Sequence, residues 1–259
     1  MFTLGIDIGS ASSKAVILED GSRIAAGRVV QAGTGSSGPR QVVEELFAQC
    51  GLTKDGIARV VATGYGRYGV TWADAQVSEI TCHAKGVNFL FPQARTILDI
   101  GGQDAKAISI SGTGRVLSFF MNEKCAAGTG RFLEVMSRVL DIPLPEMGQR
   151  DALGQDGVEV SSTCTVFAES AVVSLLSQGV EKNDILRGVH NSVVSRAAGL
   201  LFRTPMEPEF VFTGGVAQNT GVVRAMEREL KRTVLVSEQA QLTGAIGAAL
   251  MAWEGLKKE

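Results

Sequence analysis

The sequence carries one ten-residue pattern twice, at residues 7–16 and again at residues 99–108. Each copy reads Asp-Ile-Gly, four small or polar residues, and then Lys-Ala and an aliphatic residue, so the copies align without a gap. Because apolar runs precede and end each copy, each predicts a strand, a tight turn and a returning strand. The turn glycines let backbone N–H groups approach an anion, and the aspartates can hold a divalent cation. Two unrelated β-hairpins are the alternative, but the matched register favours a duplicated site that grips one polyphosphate from both sides.

Composition is typical of a globular protein. The 259 residues suffice for one large or two small domains, and the repeat favours two. The net charge of −2, without a basic cluster, argues against nucleic acid as a partner. No apolar run approaches the ~18 residues of a membrane helix, and no signal peptide pattern opens the sequence. We therefore expect a cytoplasmic protein without a membrane partner.

The hydrophobic patterns predict three strands followed by alternating helices and strands, and they predict this order twice. This is an α/β architecture with a mixed sheet in each half and a nucleotide in the cleft between the halves. We place the first half at residues 1–94, joined by a C-terminal helix at 241–259, and the second half at 95–240. Other predicted elements are strands at 23–30, 57–63, 96–100, 105–110, 116–121, 210–213 and 233–237 and a mostly helical segment at 72–91.

Five segments along nearly the whole chain resemble the motifs of one ATPase superfamily. They lie at residues 64–67 (Gly-Tyr-Gly-Arg), 99–104, 122–131, 161–170 and 214–219. The superfamily is that of actin, the sugar kinases and the heat-shock chaperones. Within it, the segments are most similar to the activator ATPases of 2-hydroxyacyl-CoA dehydratases, the BadF/BadG/BcrA/BcrD ATPase family. The resemblance implies two ribonuclease-H-like halves, an actin-like ATPase duplication, with the nucleotide in the interdomain cleft.

The resemblance also implies a function that joins ATP hydrolysis to electron transfer. A homodimer would carry one [4Fe–4S] cluster between its subunits. It would use ATP with Mg²⁺ to drive single electrons, received from ferredoxin or flavodoxin, into a 2-hydroxyacyl-CoA dehydratase. Three alternatives stay open: an ATPase subunit of a benzoyl-CoA-reductase-like system, a sugar or acid kinase with structural cysteines, and a chaperone-like or regulatory ATPase without redox chemistry.

The two hairpins supply most of the predicted nucleotide and magnesium contacts. Hydroxyls and amides at the first turn suit phosphate oxygens, and Lys14 adds a point charge unless it is an ordinary surface lysine. Asp7 and Asp99 are predicted Mg²⁺ ligands, with capping of the strand-end turns as the alternative. At Glu134 the family usually carries aspartate, but the longer glutamate can still reach a ribose hydroxyl. The predicted nucleotide contacts are Ser10, Ala11, Ser12, Ser13, Lys14, Gly101, Gly102, Gln103, Glu134, Gly214, Gly215, Gln218 and Gln241.

Two neighbouring residues of the second turn are candidates for the hydrolytic step. Glutamine is not a base, but Gln103 can orient the attacking water by donating and accepting hydrogen bonds, which suits slow, gated hydrolysis. Asp104 is the alternative, as a true general base.

Two of the four cysteines are predicted to bind the cluster. Cys125 and Cys164 each stand among small, polar or glycine residues before an apolar helix, whose amides would favour a thiolate. Two cysteines are half of a Cys₄ set, so a second identical chain would supply the rest about a two-fold axis. Ordinary buried cysteine is the alternative for both and the prediction for Cys50 and Cys82. A single-chain cluster of all four cysteines is disfavoured, because Cys50 and Cys82 lie on helices whose apolar faces should pack inward.

Overall fold

The structure is a computed structural model that describes residues 1–122, 125–155, 157–160 and 164–257. Two predicted motif segments, at 122–131 and 161–170, lie partly outside the described residues, as do the last two residues of the predicted helix at 241–259. Within the described ranges, no helix combines the length and the apolarity that a membrane-spanning segment needs.

The N-terminal elements form a five-stranded sheet. They are β1 (Phe2–Ile8), β2 (Ser13–Glu19), β3 (Arg23–Val30), α1 (Gly38–Cys50), β4 (Ile57–Thr63), β5 (Ala75–Gln76) and α2 (Glu79–Leu90). The strand order is β3-β2-β1-β4-β5, and β1 runs antiparallel to β2 and parallel to β4. This register places Asp7 at the end of β1 directly opposite Lys14 on β2.

A second sheet repeats this order. The following elements are β6 (Thr96–Ile100), β7 (Ala105–Ile110), β8 (Val116–Asn122), α3 (Gly130–Leu140), α4 (Met147–Asp151), α5 (Thr165–Ser177), α6 (Lys182–Leu201), β9 (Phe210–Thr213), α7 (Thr220–Leu230) and α8 (Thr243–Leu256). The order β8-β7-β6-β9 matches β3-β2-β1-β4 strand for strand. The duplication therefore extends from the hairpins to the sheets, and the predicted α/β class is confirmed.

The chain divides into two compact units. The first consists of Met1–Ile97, Ile108–Ser118 and Ser237–Glu259, and the second of Leu98–Ala107 and Phe119–Val236. The halves proposed from the sequence, 1–94 with 241–259 and 95–240, follow the repeat and stay a prediction.

Strand β1 is buried on both faces, which explains its nearly continuous apolar sequence. On one face, Ile6 packs with Leu46 of α1 in the main core of the first unit. On the other face, α8 comes so close that a Cβ at Gly5 would lie 2.0 Å from the Ala245 carbonyl oxygen. Helices on both faces therefore fix the strand that ends in Asp7.

The predicted helical segment at 72–91 is wrong in its first third. Ala75 and Gln76 pair with β4 as a short edge strand, and the helix begins only with α2. The Asp74 carboxylate fixes this edge by accepting from the Val60 N–H at 2.7 Å. A two-residue strand depends on such tertiary contacts and carries no periodic pattern of its own.

The predicted strand at 233–237 is wrong in extent. It is reduced to one bridge between Val211 and Leu235, with backbone hydrogen bonds from Phe212 N to Leu235 O and from Leu235 N to Phe210 O. Thr233 is exposed. Too few neighbouring apolar residues are therefore buried here to extend the strand pairing beyond one bridge.

Strands β4 and β9, which flank β1 and β6, both end in Thr-Gly, and both glycines adopt a left-handed conformation. The φ angle is 86° at Gly64 and 87° at Gly214. A Cβ at Gly64 would lie 2.3 Å from Asp7 Oδ1, and a Cβ at Gly214 would lie 2.3 Å from the Ile100 carbonyl oxygen and 3.0 Å from Asp99 Oδ1. Each glycine thus makes room for the aspartate at the neighbouring strand end.

We expect Gly64→Ala and Gly214→Ala to destabilise the protein clearly more than Gly51→Ala and Gly179→Ala. All four glycines have positive φ, so every substitution carries a backbone cost of about 1–3 kcal/mol. Among the described residues, however, nothing beyond the chain neighbours lies within 4 Å of a Cβ at Gly51 or Gly179. Urea unfolding measures the four losses, and equal losses would contradict the close packing around the aspartates.

Candidate functional site

The first hairpin buries an aspartate and compensates it with a lysine across the strand pair. Asp7 is 5% exposed, and its Oδ2 lies 3.3 Å from Lys14 Nζ. The turn is closed by Gly9 N, which donates to the Ser12 carbonyl oxygen at 3.0 Å. Because an unpaired buried carboxylate is strongly destabilising, the ion pair is what permits an acid at this strand end.

The second hairpin repeats these contacts and adds a third charge. Lys106 Nζ lies 3.3 Å from Asp99 Oδ2, and Gly101 N donates to the Asp104 carbonyl oxygen at 2.9 Å. Asp104, which replaces the serine of the first copy, also accepts from Lys106 Nζ at 2.6 Å. At the end of β9, Thr213 Oγ1 donates to Asp99 Oδ1 at 2.9 Å. The second site is therefore more tightly bonded than the first.

The two lysines differ in their access to solvent. The Lys14 side chain is 14% exposed, whereas that of Lys106 is 3% exposed and lies between two carboxylates. Lys14 can leave its partner for a phosphate oxygen at a lower electrostatic cost than Lys106 can.

The predicted phosphate-binding residues of the first turn form two groups. Ser10 and Ala11 are partly exposed, which leaves their backbone open to a ligand. Ser12 and Ser13 are buried, and Ser13 Oγ donates to the Ala32 carbonyl oxygen at 2.7 Å. The Ser13 hydroxyl therefore holds the turn in place.

Helix α3 begins on the second hairpin, a contact that we did not predict. Gly130 N donates to the Gly101 carbonyl oxygen at 2.9 Å. Thr129, the residue before the helix, is buried, and its Oγ1 lies 3.1 Å from the Gly102 and 2.7 Å from the Ala126 carbonyl oxygen. The sequence signal was a threonine at the N-cap position, which marks where a helix starts but not what it contacts.

The side chains of the two hydrolytic candidates, Gln103 and Asp104, are constrained to different degrees. Gln103 is exposed at the tip of the second turn. Asp104 is bonded to Lys106, and a Cβ at Gly101 would lie 2.3 Å from Asp104 Oδ1. The Asp104 carboxylate is thus held against the hairpin, while the Gln103 amide faces solvent.

The glycine turn after β9 supplies further predicted contacts. Gly214 is buried against the end of β6, whereas Gly215 and Gln218 are exposed in the single 3₁₀ turn Gly215–Gln218. The structure therefore brings Gly214 to Asp99 and exposes Gly215 and Gln218, while Val216 and Ala217 between them are buried.

Two predicted nucleotide contacts lie on other elements. Gln241 is half-buried in the 3₁₀ turn Ala240–Leu242 that precedes α8. Glu134, on α3, forms an ion pair with Arg131 at 2.8 Å. The structure groups Asp7 with Ser10, Ala11, Ser12, Ser13 and Lys14, and it groups Asp99 with Gly101, Gly102, Gln103, Asp104 and Gly214.

The predicted cluster cysteines are free and partly exposed, but their surroundings differ. Cys164 is the N-cap residue of α5, so it lies at a helix N-terminus. Cys125 precedes α3 by five residues, and the first amide of that helix binds the second hairpin instead. Asn122 Nδ2 donates to the Cys125 carbonyl oxygen at 3.2 Å. Cys164 therefore has the position that the helix-dipole argument requires, and for Cys125 the argument stays a prediction.

The other two cysteines, Cys50 and Cys82, lie in surroundings typical of cysteines with a structural role. Cys82 is fully buried, and burial raises the pKa of its thiol to about 12. Cys50 ends α1, with its Sγ 3.8 Å from the Phe47 carbonyl oxygen. Across the described ranges, no group of three or more His, Cys, Asp or Glu residues could hold a metal ion.

Comparison with known families places the chain in one of them. The model of the BadF/BadG/BcrA/BcrD ATPase family matches residues 4–252. The chain belongs to this family. The predicted family and the predicted ATPase class are confirmed.

Relatives of this ATPase match over their full length. It is 59% identical, over 100% of both chains, to the activator of lactoyl-CoA dehydratase from Anaerotignum propionicum. It is 47% identical to the (R)-2-hydroxyglutaryl-CoA dehydratase activating ATPase of Acidaminococcus fermentans, over 100% of this chain and 99% of the relative.

Solved structures confirm the fold. The activator of the 2-hydroxyisocaproyl-CoA dehydratase from Clostridium difficile, with bound ADPNP, matches with a TM-score of 0.97 at 49% identity, over 100% of this chain and 96% of that chain. Sugar-kinase structures match at 14% and 16% identity, which shows the fold alone. The predicted actin-like ATPase fold is therefore confirmed.

We expect Lys106→Met to lower the free energy of unfolding by about 3–5 kcal/mol, because it leaves two carboxylates without a compensating charge. Lys14→Met should destabilise the protein less, because it leaves only one carboxylate, Asp7, without its lysine and the position is more exposed. It should also weaken ATP binding. Urea unfolding and isothermal titration with ATP measure the two effects. A larger stability loss from Lys14→Met would contradict the difference between the hairpins.

Proposed function

We propose that this ATPase is the reductive activator of a 2-hydroxyacyl-CoA dehydratase, which hydrolyses ATP to drive single electrons into that enzyme. The observation that carries the proposal is the duplicated aspartate–lysine hairpin, in a chain that also holds two partly exposed free cysteines. The names of the full-length relatives, activators of lactoyl-CoA and (R)-2-hydroxyglutaryl-CoA dehydratases, support it.

The hairpins offer the nucleotide phosphates a cation and a set of turn amides. Lys14, the more accessible lysine, moves from Asp7 to a phosphate oxygen. Asp7 and Asp99 fit Mg²⁺, because both present carboxylate oxygens, the donors Mg²⁺ prefers, and the adjacent glycines fix their orientation. When bound, Mg²⁺ supplies positive charge to the phosphate oxygens. Gly215, Gln218, Glu134 and Gln241 complete the proposed nucleotide contacts.

Gln103 is the residue that we assign to orienting the hydrolytic water. Its amide is exposed at the second turn, so it can both donate to and accept from a water molecule. Asp104 is the weaker candidate for a base, because Lys106 already occupies one of its oxygens at 2.6 Å. A glutamine without basicity gives slow turnover, which suits an ATPase whose output is a conformational change.

Cys125 and Cys164 fit half of the ligand set of a [4Fe–4S] cluster. Both thiols are free and partly exposed, and Cys164 lies at a helix N-terminus that favours thiolate. Two thiols from each of two chains complete a Cys₄ set. When bound, the cluster supplies one-electron transfer.

A homodimer is the assembly that this ligand count requires. Helix α5 begins immediately after Cys164 and exposes Val166, Phe167 and Val173 by 65%, 65% and 54%. Apolar side chains exposed next to a proposed shared ligand are suited to burial against a second copy of the chain.

We expect Cys125→Ser and Cys164→Ser to lose the bound iron, while Cys50→Ser and Cys82→Ala keep it. The first two substitutions remove proposed ligands, and the second two alter thiols with structural surroundings. Iron content and visible absorbance of the four anaerobically purified variants give the answer, together with ATP-dependent activation of a dehydratase. Full iron retention in either of the first two variants would contradict the assignment.

Gln103→Ala should slow ATP hydrolysis by about 10²-fold while ATP still binds, because a water-orienting contact acts chiefly in the transition state. Gln41→Ala, which alters an exposed glutamine on α1, serves as the matched control and should hydrolyse ATP at the wild-type rate. Phosphate release and isothermal titration separate the two steps. Weakened binding with unchanged turnover at saturating ATP would assign Gln103 to binding instead.

A further inference from the structure

A buried histidine on α6 connects α4 to α7 in a way that the proposed function does not use. His190 is 0% exposed, and its Nδ1 lies 3.2 Å from Asp151 Oδ1, at the end of α4. Its Nε2 lies 3.2 Å from Asn219 Nδ2, at the start of α7. Nε2 therefore has a hydrogen-bond partner in Asn219, while Nδ1 has a close contact with the Asp151 carboxylate that lacks hydrogen-bond geometry.

The contacts of Asn219 determine which atom donates in its hydrogen bond with His190. Its Oδ1 accepts from Gly221 N at 2.9 Å and from Val222 N at 3.2 Å and thereby caps α7. The amide NH₂ group must then face His190, so Nε2 accepts. The other ring nitrogen, Nδ1, faces the Asp151 carboxylate.

The Asp151 carboxylate, which faces His190, is also held by Arg224. Arg224 Nη2 donates to Asp151 Oδ2 at 2.9 Å and to the Gly148 carbonyl oxygen at 2.5 Å. Burial alone would raise the pKa of Asp151, but the contacts with His190 and Arg224 outweigh it and hold that pKa below its usual range. A Cβ at Gly221 would lie 2.4 Å from His190 Nδ1, so the ring has little room to turn.

Asn219 also ends the glycine turn that contains the proposed nucleotide contacts. The turn begins at Gly214, which is packed on β6, and it exposes Gly215 and Gln218. Asn219 N closes it by donating to the Val216 carbonyl oxygen at 3.0 Å. One residue therefore closes the turn and opens α7, so a displacement of Asn219 displaces the exposed edge of the turn.

We infer that His190 is a positioning residue for nucleotide binding: through Asn219, it holds the turn Gly214–Gln218 in the conformation that accepts the nucleoside part of ATP. The inference rests on the proposed function, from which it takes the contacts of Gly215 and Gln218. Without the link, a smaller fraction of molecules has the binding-competent turn, and ATP affinity falls in proportion.

Asn219→Ser breaks the link and spares the helix. Serine caps a helix about as well as asparagine through its oxygen, but its side chain is one bond shorter, so its O–H does not reach the place from which Asn219 Nδ2 donates to His190. Isothermal titration of the full-length chain should show ATP affinity lower by roughly threefold to tenfold, the size of one hydrogen bond. The KM for ATP should rise with it, while the rate of hydrolysis at saturating ATP stays within about twofold of the wild type.

His190→Gln and His190→Leu form a matched pair. Glutamine can accept from Asn219 and donate to Asp151, so His190→Gln should keep the affinity for ATP. Leucine can do neither and should weaken binding as Asn219→Ser does. The double variant His190→Leu with Asn219→Ser should be no weaker than either single variant, because both remove the same link.

Leu201→Ala, fully buried at the last position of α6, controls for a general loss of stability and should bind ATP as the wild type does. Wild-type affinity in Asn219→Ser would overturn the inference and leave the proposed function intact, and this variant decides the question if His190→Leu does not fold. An equal loss of affinity in Leu201→Ala would also overturn the inference. A wild-type chain that bound no ATP would overturn the proposed function itself.

Discussion

The ends of β1 and β6 each bury an aspartate, and the surrounding structure is arranged to compensate that charge. A carboxylate taken out of water is tolerated only with a partner close by, and in both hairpins the partner is a lysine on the returning strand. The Nζ–Oδ2 distance is 3.3 Å in each. The pairing needs the register that puts Asp7 opposite Lys14, and it needs glycine at positions 64 and 214, where a side chain would collide with the strand end. Local sequence, strand register and packing thus serve one electrostatic requirement.

One difference between the copies matters most for charge, because Asp104 in the second copy stands where the first has Ser12. Lys14 pairs with Asp7 and is partly accessible, whereas Lys106 is enclosed between Asp99 and Asp104. Two carboxylates hold a lysine more firmly than one does, so the second lysine has less freedom to meet a ligand. The first hairpin is therefore the better suited to gripping phosphate, and the second to holding the turn that presents Gln103.

Most strands could be predicted because they are long enough to show their apolar run, and β3, β4, β6, β7 and β9 have the predicted bounds. Features that depend on contacts between residues distant in sequence could not be predicted. The edge strand at Ala75 and Gln76 exists through pairing with β4, and the start of α3 gives no sign that its first amide binds the Gly101 carbonyl. His190 gave no signal at all, because its partners come from α4 and α7.

A short physical route joins the proposed phosphate site to the proposed cluster ligand within the second unit. Thr129 Oγ1 lies within hydrogen-bond distance of the carbonyl oxygens of both Gly102, in the phosphate turn, and Ala126, which follows Cys125 directly. A shift of the turn therefore displaces the cysteine loop through a single buried hydroxyl. Geometry alone does not make such a route a coupling, because by linkage two ligands affect a proposed cluster differently only if they bind two conformations of the protein with different affinity. ATP and ADP differ in the γ-phosphate, so a difference of this kind has to arise where the γ-phosphate is bound.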